Sequence, residues 1–248
     1  MQAKIYGKGS PVIVLHEWLG DHRNWEPMLE FCNSKGFEFH CLDLPGYGNS
    51  GPHSPEPSAA AIAEEILKYA YSRDLAAFSL VVHSMSGLIG HQLGVTSPER
   101  LKNLIFFCPV PPGGFQASAA DQEKMQGVSN DRSAIRQAIL ARGGHLESDE
   151  WLDRKEEIAW TASSPETKRA YLKMFLAPLS MPPQKTALEK AYIFCGEADL
   201  PFYRKPSLEP KFAPYYANLE IVSLENCGHY PMLQKPKNVA AALLKCLS

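Results

Sequence analysis

Short strand-like runs alternate with stretches of helical periodicity along the first half of the chain. Residues 11–15 (Pro-Val-Ile-Val-Leu) form an unbroken apolar run, the pattern of a strand covered on both faces within a parallel sheet, and 104–108 (Leu-Ile-Phe-Phe-Cys) predict another buried strand. Residues 36–42 and the β-formers of 78–83 predict two further strands. Between them, residues 25–35 and 87–95 predict helices. A third helix spans 59–71, with Ser58 as its cap and Ile62, Ile66, Leu67 and Ala70 at helical spacing. Residues 43–50 carry glycines and a proline that forbid continuation of the preceding strand. Strands alternating with helices of this length predict βαβ units with right-handed crossovers: an α/β fold with a mostly parallel sheet and helices on both faces.

The rhythm breaks after residue 110. Pro109, Pro111, Pro112, Gly113 and Gly114 mark the break, and only helical patterns follow, over 119–127, 132–141, 149–162 and 165–175. Met181-Pro-Pro-Gln closes this stretch, and apolar runs resume at 191–194 and 219–224. The predicted organisation is a core formed by residues 1–110 and 190–248, with a helical cap, residues 111–189, inserted before the strand at 191. Ligand sites of α/β sheets form beyond the C-terminal ends of the strands, so an insert leaving from that edge should roof the site.

Composition narrows the function classes. A chain of 248 residues fits one large domain carrying an insertion. A net charge of −2, with basic residues scattered among acidic ones, offers no stripe for a nucleic-acid backbone. The first ten residues lack the apolar core of a secretory leader, and no stretch is long enough to span a bilayer. The expectation is a cytoplasmic protein that meets a small-molecule substrate, not nucleic acid or membrane; its oligomeric state is unknown. Cys32, Cys41, Cys108, Cys195, Cys227 and Cys246 are dispersed and read as free thiols. His22, His40, His53, His91 and His145 show no ligand spacing with carboxylates or thiols, so no metal is expected.

The candidate chemistry centres on Ser84. It follows the β-forming run 78–83 and precedes a helical pattern, the outline of a sharp strand-to-helix turn that exposes a hydroxyl and aims the next backbone N–H at the same point. A serine hydroxyl needs a base to take its proton, and the base needs a carboxylate to orient it. Asp199 follows the run 191–194 and His229 follows the run 219–224. Glu197 is the second choice for the acid. Alone, such a serine reads as a cap, such a histidine as loop and such an aspartate as turn chemistry. The order Ser, Asp, His, each after its own strand, favours a catalytic triad. Oxyanion donors are expected from the N–H groups of Met85 and of Trp18, in the loop after the first buried run. His16 reads as a residue that fixes that loop. Glu17, His83, Trp160, Met174 and Phe175 are candidate pocket residues, although aromatics on amphipathic helices are more often core.

With the His16 loop carrying Gly20 and Trp25, Asp43-Leu-Pro-Gly-Tyr-Gly-Asn-Ser50, His83-Ser84-Met85 with Gly87, Ser97-Pro-Glu-Arg-Leu101, Gly196-Glu-Ala-Asp199 and Gly228-His229, the chain resembles the α/β-hydrolase superfamily, in particular small lidded bacterial serine esterases. The resemblance implies about eight strands, a covalent acyl-enzyme and no cofactor. Three positions depart from the family pattern. Glu17 stands where glycine usually follows the histidine, and Val82 and Ser86 replace the glycines two positions either side of the nucleophile. The expected function is hydrolysis of a small carboxylic ester, lactone or activated amide. Glu17 keeps open carbon–carbon bond hydrolysis or a lyase or isomerase step on the same residues, and a non-catalytic binding protein on this scaffold ranks last.

Overall fold

The computed structural model describes residues 1–32, 36–52, 56–145, 147–179 and 185–248. In chain order the elements are β1 (Gln2–Gly7), β2 (Ser10–Leu15), α1 (Glu26–Leu29), β3 (Phe37–Asp43), α2 (Ala59–Ser72), β4 (Phe78–His83), α3 (Gly87–Thr96) and β5 (Leu101–Phe107). They continue with α4 (Ala119–Val128), α5 (Arg132–Gly143), α6 (Asp149–Thr161), α7 (Pro165–Leu176), β6 (Ala191–Gly196), α8 (Lys205–Phe212), β7 (Leu219–Leu224), α9 (Pro231–Gln234) and α10 (Pro236–Leu247). The strands form one sheet in the order β1-β3-β2-β4-β5-β6-β7, with β1 antiparallel to β3 and the other pairs parallel. An α/β fold with a mostly parallel sheet is therefore present.

Its strand count is seven among the described residues, not about eight. β1 is an edge strand exposed or half-exposed along its length, so it leaves no apolar run in the sequence. The helix expected over 25–35 is shorter: α1 ends at Leu29, where Phe31 and Cys32 switch to hydrogen bonds three residues back, and residues 33–35 lie outside the described residues. Met181-Pro-Pro-Gln lies outside them too. The α10 stripe Val239, Ala240, Leu243 and Leu247 is buried, following a helical period present in the sequence. Among the described residues no helix is long and apolar enough to cross a membrane.

The core sits where the buried runs meet. β4 is buried at every position and lies at the centre of the sheet. The bulk of Val82 there is matched across the β4–α3 contact by Gly90, where an added Cβ would lie 2.9 Å from one Val82 methyl and 3.1 Å from the other. A larger residue at one position thus stands against the smallest possible one at its neighbour.

Four helices, α4 to α7, occupy the chain between β5 and β6. Each starts on a residue built to cap it: Ser118, Asp131, Ser148 and Ser164 all accept a hydrogen bond from the first turn of the helix that follows. α6 and α7 lie on the loops after β2 and β3. Gly48 N–H donates to Ala162 O (2.7 Å), the Tyr171 hydroxyl to Pro45 O (3.0 Å), and the Trp18 indole to Lys168 O (2.8 Å). Lys168, itself buried, donates to Ser163 O at 2.5 Å near the end of α6. Burial, with Lys155 nearby, pushes the Lys168 ammonium down to about 8.

A buried ion pair also joins these helices to the loop after β2. Lys155 Nζ on α6 lies 2.9 Å from Glu17 Oε1, with both side chains almost wholly excluded from solvent. Lys155 also donates to Leu19 O (2.5 Å), and Glu17 accepts from Leu19 N (2.5 Å) and Asn24 Nδ2 (3.1 Å). Gly20 is required here, because a Cβ would lie 1.9 Å from Asn24 Nδ2. Burial by itself raises the Glu17 carboxyl, but the Lys155 ammonium and the Leu19 N–H hold it down at about 2.

Three outcomes follow. Gly90→Ala forces a methyl against Val82 and is expected to lower stability by about 1–3 kcal/mol, read from denaturant midpoints; a neutral result would mean the β4–α3 contact is loose. Lys155→Met strands a buried carboxylate and should cost about 3–5 kcal/mol, whereas Lys155→Met with Glu17→Leu should recover most of the loss. Because the Glu17 pKa is depressed, the pair stabilises the fold fully above the carboxyl's ordinary value of 4.5 and loses that contribution as pH falls toward about 2. The stability difference between the double variant and the native chain should therefore change across that window, and a pH-independent difference would contradict it.

Candidate active site

At the end of β4, His83 is extended and Ser84 turns to φ +53°. A non-glycine residue in this left-handed region is strained and must be held by its surroundings. Ser84 O accepts from Val110 N at 2.8 Å, and the Ser86 hydroxyl donates to His16 O at 2.5 Å. A Cβ on Gly87 would lie 2.7 Å from both Pro109 Cβ and Val110 O. The turn is thus tied on one side to the loop after β2 and on the other to the loop after β5. Ser86, where the family pattern has glycine, contributes one of these ties.

Three loops then bring three side chains together. Ser84 Oγ lies 2.9 Å from His229 Nε2, and His229 Nδ1 lies 2.6 Å from Asp199 Oδ2. All three are buried, with Ser84 6 % exposed. The ionised Asp199 carboxylate only accepts, so His229 carries its proton on Nδ1 and offers the Nε2 lone pair to the serine hydroxyl. Asp199 is itself fixed: Oδ1 accepts from Leu200 N (2.7 Å) and its carbonyl from Arg204 Nε (2.6 Å). Glu197 is exposed and makes no contact with His229 among the described residues.

The loop that carries His229 is held by the helical insert. His229 N donates to Arg142 O at 2.8 Å, at the C-terminal end of α5. Gly228 N donates to Gln234 Oε1 (2.8 Å), and Gln234 Nε2 returns to Gly143 O (2.9 Å). Only glycine fits at 228, where a Cβ would lie 2.4 Å from Arg142 O. His83 lies behind the triad: its Nε2–H donates to His229 O at 2.8 Å, and burial, reinforced by His229, pushes its pKa down to about 3, so it is a neutral support.

The other candidates fall in different places. Glu17 does not face a substrate pocket, because its carboxylate is used by Lys155, Leu19 and Asn24. Trp160 is 38 % exposed with the Arg132 guanidinium over its ring, so it lies on the outside of α6 and does not line the site. Met174 lines a groove of about 420 Å³ with Pro57, Ala59 and Lys173, away from Ser84. Phe175 joins an aromatic series: Trp18 to Phe175 (5.5 Å between ring centres), Phe175 to Phe115 (6.5 Å), Phe115 to Tyr203 (5.8 Å) and Tyr203 to His229 (4.4 Å). This series runs from the loop after β2 to the histidine loop. Met85 follows Ser84 in a turn whose first N–H groups have no acceptor within the helix itself. Trp18 O accepts from the Tyr47 hydroxyl at 3.0 Å, and His16 bridges the two loops through Nδ1 to Glu17 O (2.8 Å) and Nε2 to Leu44 N (3.1 Å).

His22, set aside for want of a partner, in fact pairs with Asp43 at 2.9 Å, which raises its pKa through that hydrogen bond against the effect of burial. Asp21 lies close by, but Arg23 holds its carboxylate at 2.7 Å and Asn49 N adds a bond to Asp43 at 2.9 Å. The donor atoms of this cluster are already used in fixing loops. Sequence reasoning missed Lys155 and Tyr203. Lys155 left a signal, standing in register with buried Leu152 and Ala159 on the inner face of α6. Tyr203 left none, since it is placed by a Pro-initiated turn without a period.

The sequence profile of the Alpha/beta hydrolase family matches residues 12–242. Pimeloyl-(acyl-carrier protein) methyl ester esterase of Aeromonas hydrophila subsp. hydrophila is 26 % identical over 248 residues, spanning 94 % of this chain and 93 % of that protein. Among solved structures, an esterase from Exiguobacterium antarcticum superposes with a TM-score of 0.88 at 18 % identity, covering 99 % of this chain and 95 % of that one. An enol-lactonase from Burkholderia xenovorans LB400 superposes with a TM-score of 0.81 at 17 % identity, covering 99 % and 95 %. The profile spans most of the chain, and the chain belongs to the alpha/beta hydrolase family as a hydrolase.

Proposed function

We propose that the chain cleaves a small carboxylic ester, lactone or activated amide through an acyl-enzyme on Ser84. The observation that carries this reading is the unbroken relay Ser84 Oγ–His229 Nε2 (2.9 Å) and His229 Nδ1–Asp199 Oδ2 (2.6 Å). His229 takes the hydroxyl proton as Ser84 attacks the carbonyl carbon, and Asp199 stabilises the imidazolium that forms. The N–H groups of Met85 and Trp18 are assigned to the oxyanion, a contribution of about 3–4 kcal/mol per donor in comparable sites. His229 then protonates the leaving oxygen or nitrogen. Water, deprotonated by the same imidazole, attacks the acyl carbon; the bond to Oγ breaks and the serine recovers its proton.

Ester cleavage draws further support from the Aeromonas relative, an esterase by name. The argument for carbon–carbon hydrolysis or a lyase step rested on an unpaired charge at Glu17. Lys155 neutralises that charge, which removes the observation that favoured the alternative. The cytoplasm remains the proposed compartment, since reducing conditions keep thiols such as the five buried here unpaired.

Ser84→Ala should lower turnover of short p-nitrophenyl esters by at least ~10³-fold and abolish labelling by a serine-directed phosphonate. Label retained at native stoichiometry in that variant would overturn the nucleophile assignment. Asp199→Asn should keep the fold and lower kcat by on the order of 10⁴-fold, because the imidazole loses the tautomer that accepts the serine proton; native-like kcat would sink the relay.

A further inference from the structure

Gln234 closes α9, the short helix that follows His229, and its side chain folds back over the histidine loop. Its Oε1 accepts from Gly228 N at 2.8 Å and from Tyr230 N at 3.3 Å, the residues on either side of His229. The N–H of His229 itself goes to Arg142 O at 2.8 Å. Gln234 Nε2 donates to Gly143 O at 2.9 Å and to the Glu147 carboxylate. One side chain thus takes two of the three successive N–H groups around the histidine and joins them to the end of α5.

Two helix ends account for this arrangement. The last carbonyls of a helix have no partner within it, and α5 stops at Gly143, with Gly144 turned to φ +77°. Arg142 O and Gly143 O are therefore open to outside donors. α9 starts at Pro231, and its capping residue Tyr230 offers no side-chain bond of its own. Gln234 reaches back one turn to fill that need, as the glutamine or glutamate of a capping box does. Each end satisfies the other, and Gln234 serves both at once. Its oxygen faces two donors and its nitrogen faces two acceptors, so an amide fits where a carboxylate or a hydrocarbon would not.

The other ties of His229 come from the core: His83 Nε2 on its carbonyl and Asp199 on its ring. We propose that Gln234 is a positioning residue for the reaction, holding His229 at the distance from Ser84 that proton transfer needs by clamping its loop to the end of α5. The proposal rests on the reading of His229 as the base for Ser84. Gln234 acts through the backbone of Gly228 and Tyr230. Displacing a catalytic group by about 1 Å can cost on the order of 10²-fold in rate. The imidazole moves a proton rather than holding substrate, so the loss falls on kcat and spares KM.

The test compares three variants of the full chain by turnover of p-nitrophenyl acetate, with thermal melts to establish that each is folded at the assay temperature. Gln234→Met leaves Gly228 N–H and Gly143 O unpaired. Gln234→Glu keeps an oxygen for Gly228 and Tyr230 but sets a second one against Gly143 O and the Glu147 carboxylate. Adding Glu147→Gln to Gln234→Glu exchanges the partners and returns an amide donor to that contact. Both single variants are expected to lower kcat by about 10–100-fold with KM within about 3-fold of native. The double variant should regain about 5-fold or more of the kcat lost by Gln234→Glu. Single variants with kcat within about 3-fold of native, a loss confined to KM, or a double variant as slow as Gln234→Glu each overturn the proposal. Should Gln234→Met fail to fold, Gln234→Glu and its partner exchange carry the test, because they change charge and donor at nearly constant volume. Failure of the native chain to form any Ser84 adduct with a serine-directed phosphonate would instead refute the acyl-enzyme reading, a separate result.

Discussion

A hydrogen bond of 2.9 Å between Ser84 Oγ and His229 Nε2 sets the tolerance for everything else in this molecule. Such a bond weakens steeply with a few tenths of an ångström or a few tens of degrees, yet it joins loops 145 residues apart in the chain. The parallel sheet brings the loops to one edge, through registers such as His83 with Phe107, Phe107 with Phe194 and Gly196 with Leu224. Register alone places strand ends only to within a residue's length. The rest of the precision comes from backbone ties at each loop: Val110 N on Ser84 O, Arg204 on Asp199 O, and His229 N on Arg142 O.

The last of these ties changes what the helical insert is. An insert between β5 and β6 reads naturally as a roof, added over a site that the core completes by itself. Here the C-terminal end of α5 carries the carbonyls that hold the histidine loop, and Gly228 is glycine because that helix end approaches so closely. Gly144, at φ +77°, packs in the same way against Ala198 in the acid loop. α5 is therefore part of the frame of the relay as much as β6 or β7 are. α6 and α7 serve the loops after β2 and β3, from which the expected oxyanion donor Trp18 comes.

The fold was legible in the sequence wherever an element is buried on both sides. β2 and β5 leave apolar runs, β3 and β4 leave strand-like runs of β-formers, and the helices between β5 and β6 show as helical patterns after residue 118. β1 was not legible because an edge strand exposed to solvent needs no apolar face. The members of the relay were legible because each follows a strand and their order is fixed by the architecture. The pocket was not. Trp160 and Phe175 look alike in sequence, as aromatics on amphipathic helices, and only the rotation of each helix against the core decides that one faces outward under Arg132 and the other faces Trp18. Glu17 was misread for a related reason: a charge is judged by its partner, and Lys155 lies 138 residues away.

The three departures from the family pattern share that logic. Val82 is accommodated by Gly90, Ser86 uses its hydroxyl to bind the loop it would otherwise crowd, and Glu17 is neutralised by Lys155. The last has an electrostatic consequence beyond packing. A bare carboxylate next to Trp18 would raise the energy of an oxyanion held by that residue's N–H, and in a buried site the repulsion would be poorly screened. Pairing replaces the charge with a dipole whose field falls off faster with distance. On the proposed assignment of the Trp18 N–H to the oxyanion, the ion pair keeps an acidic residue in that loop from opposing the oxyanion's charge, and α6 has to be docked for that to hold.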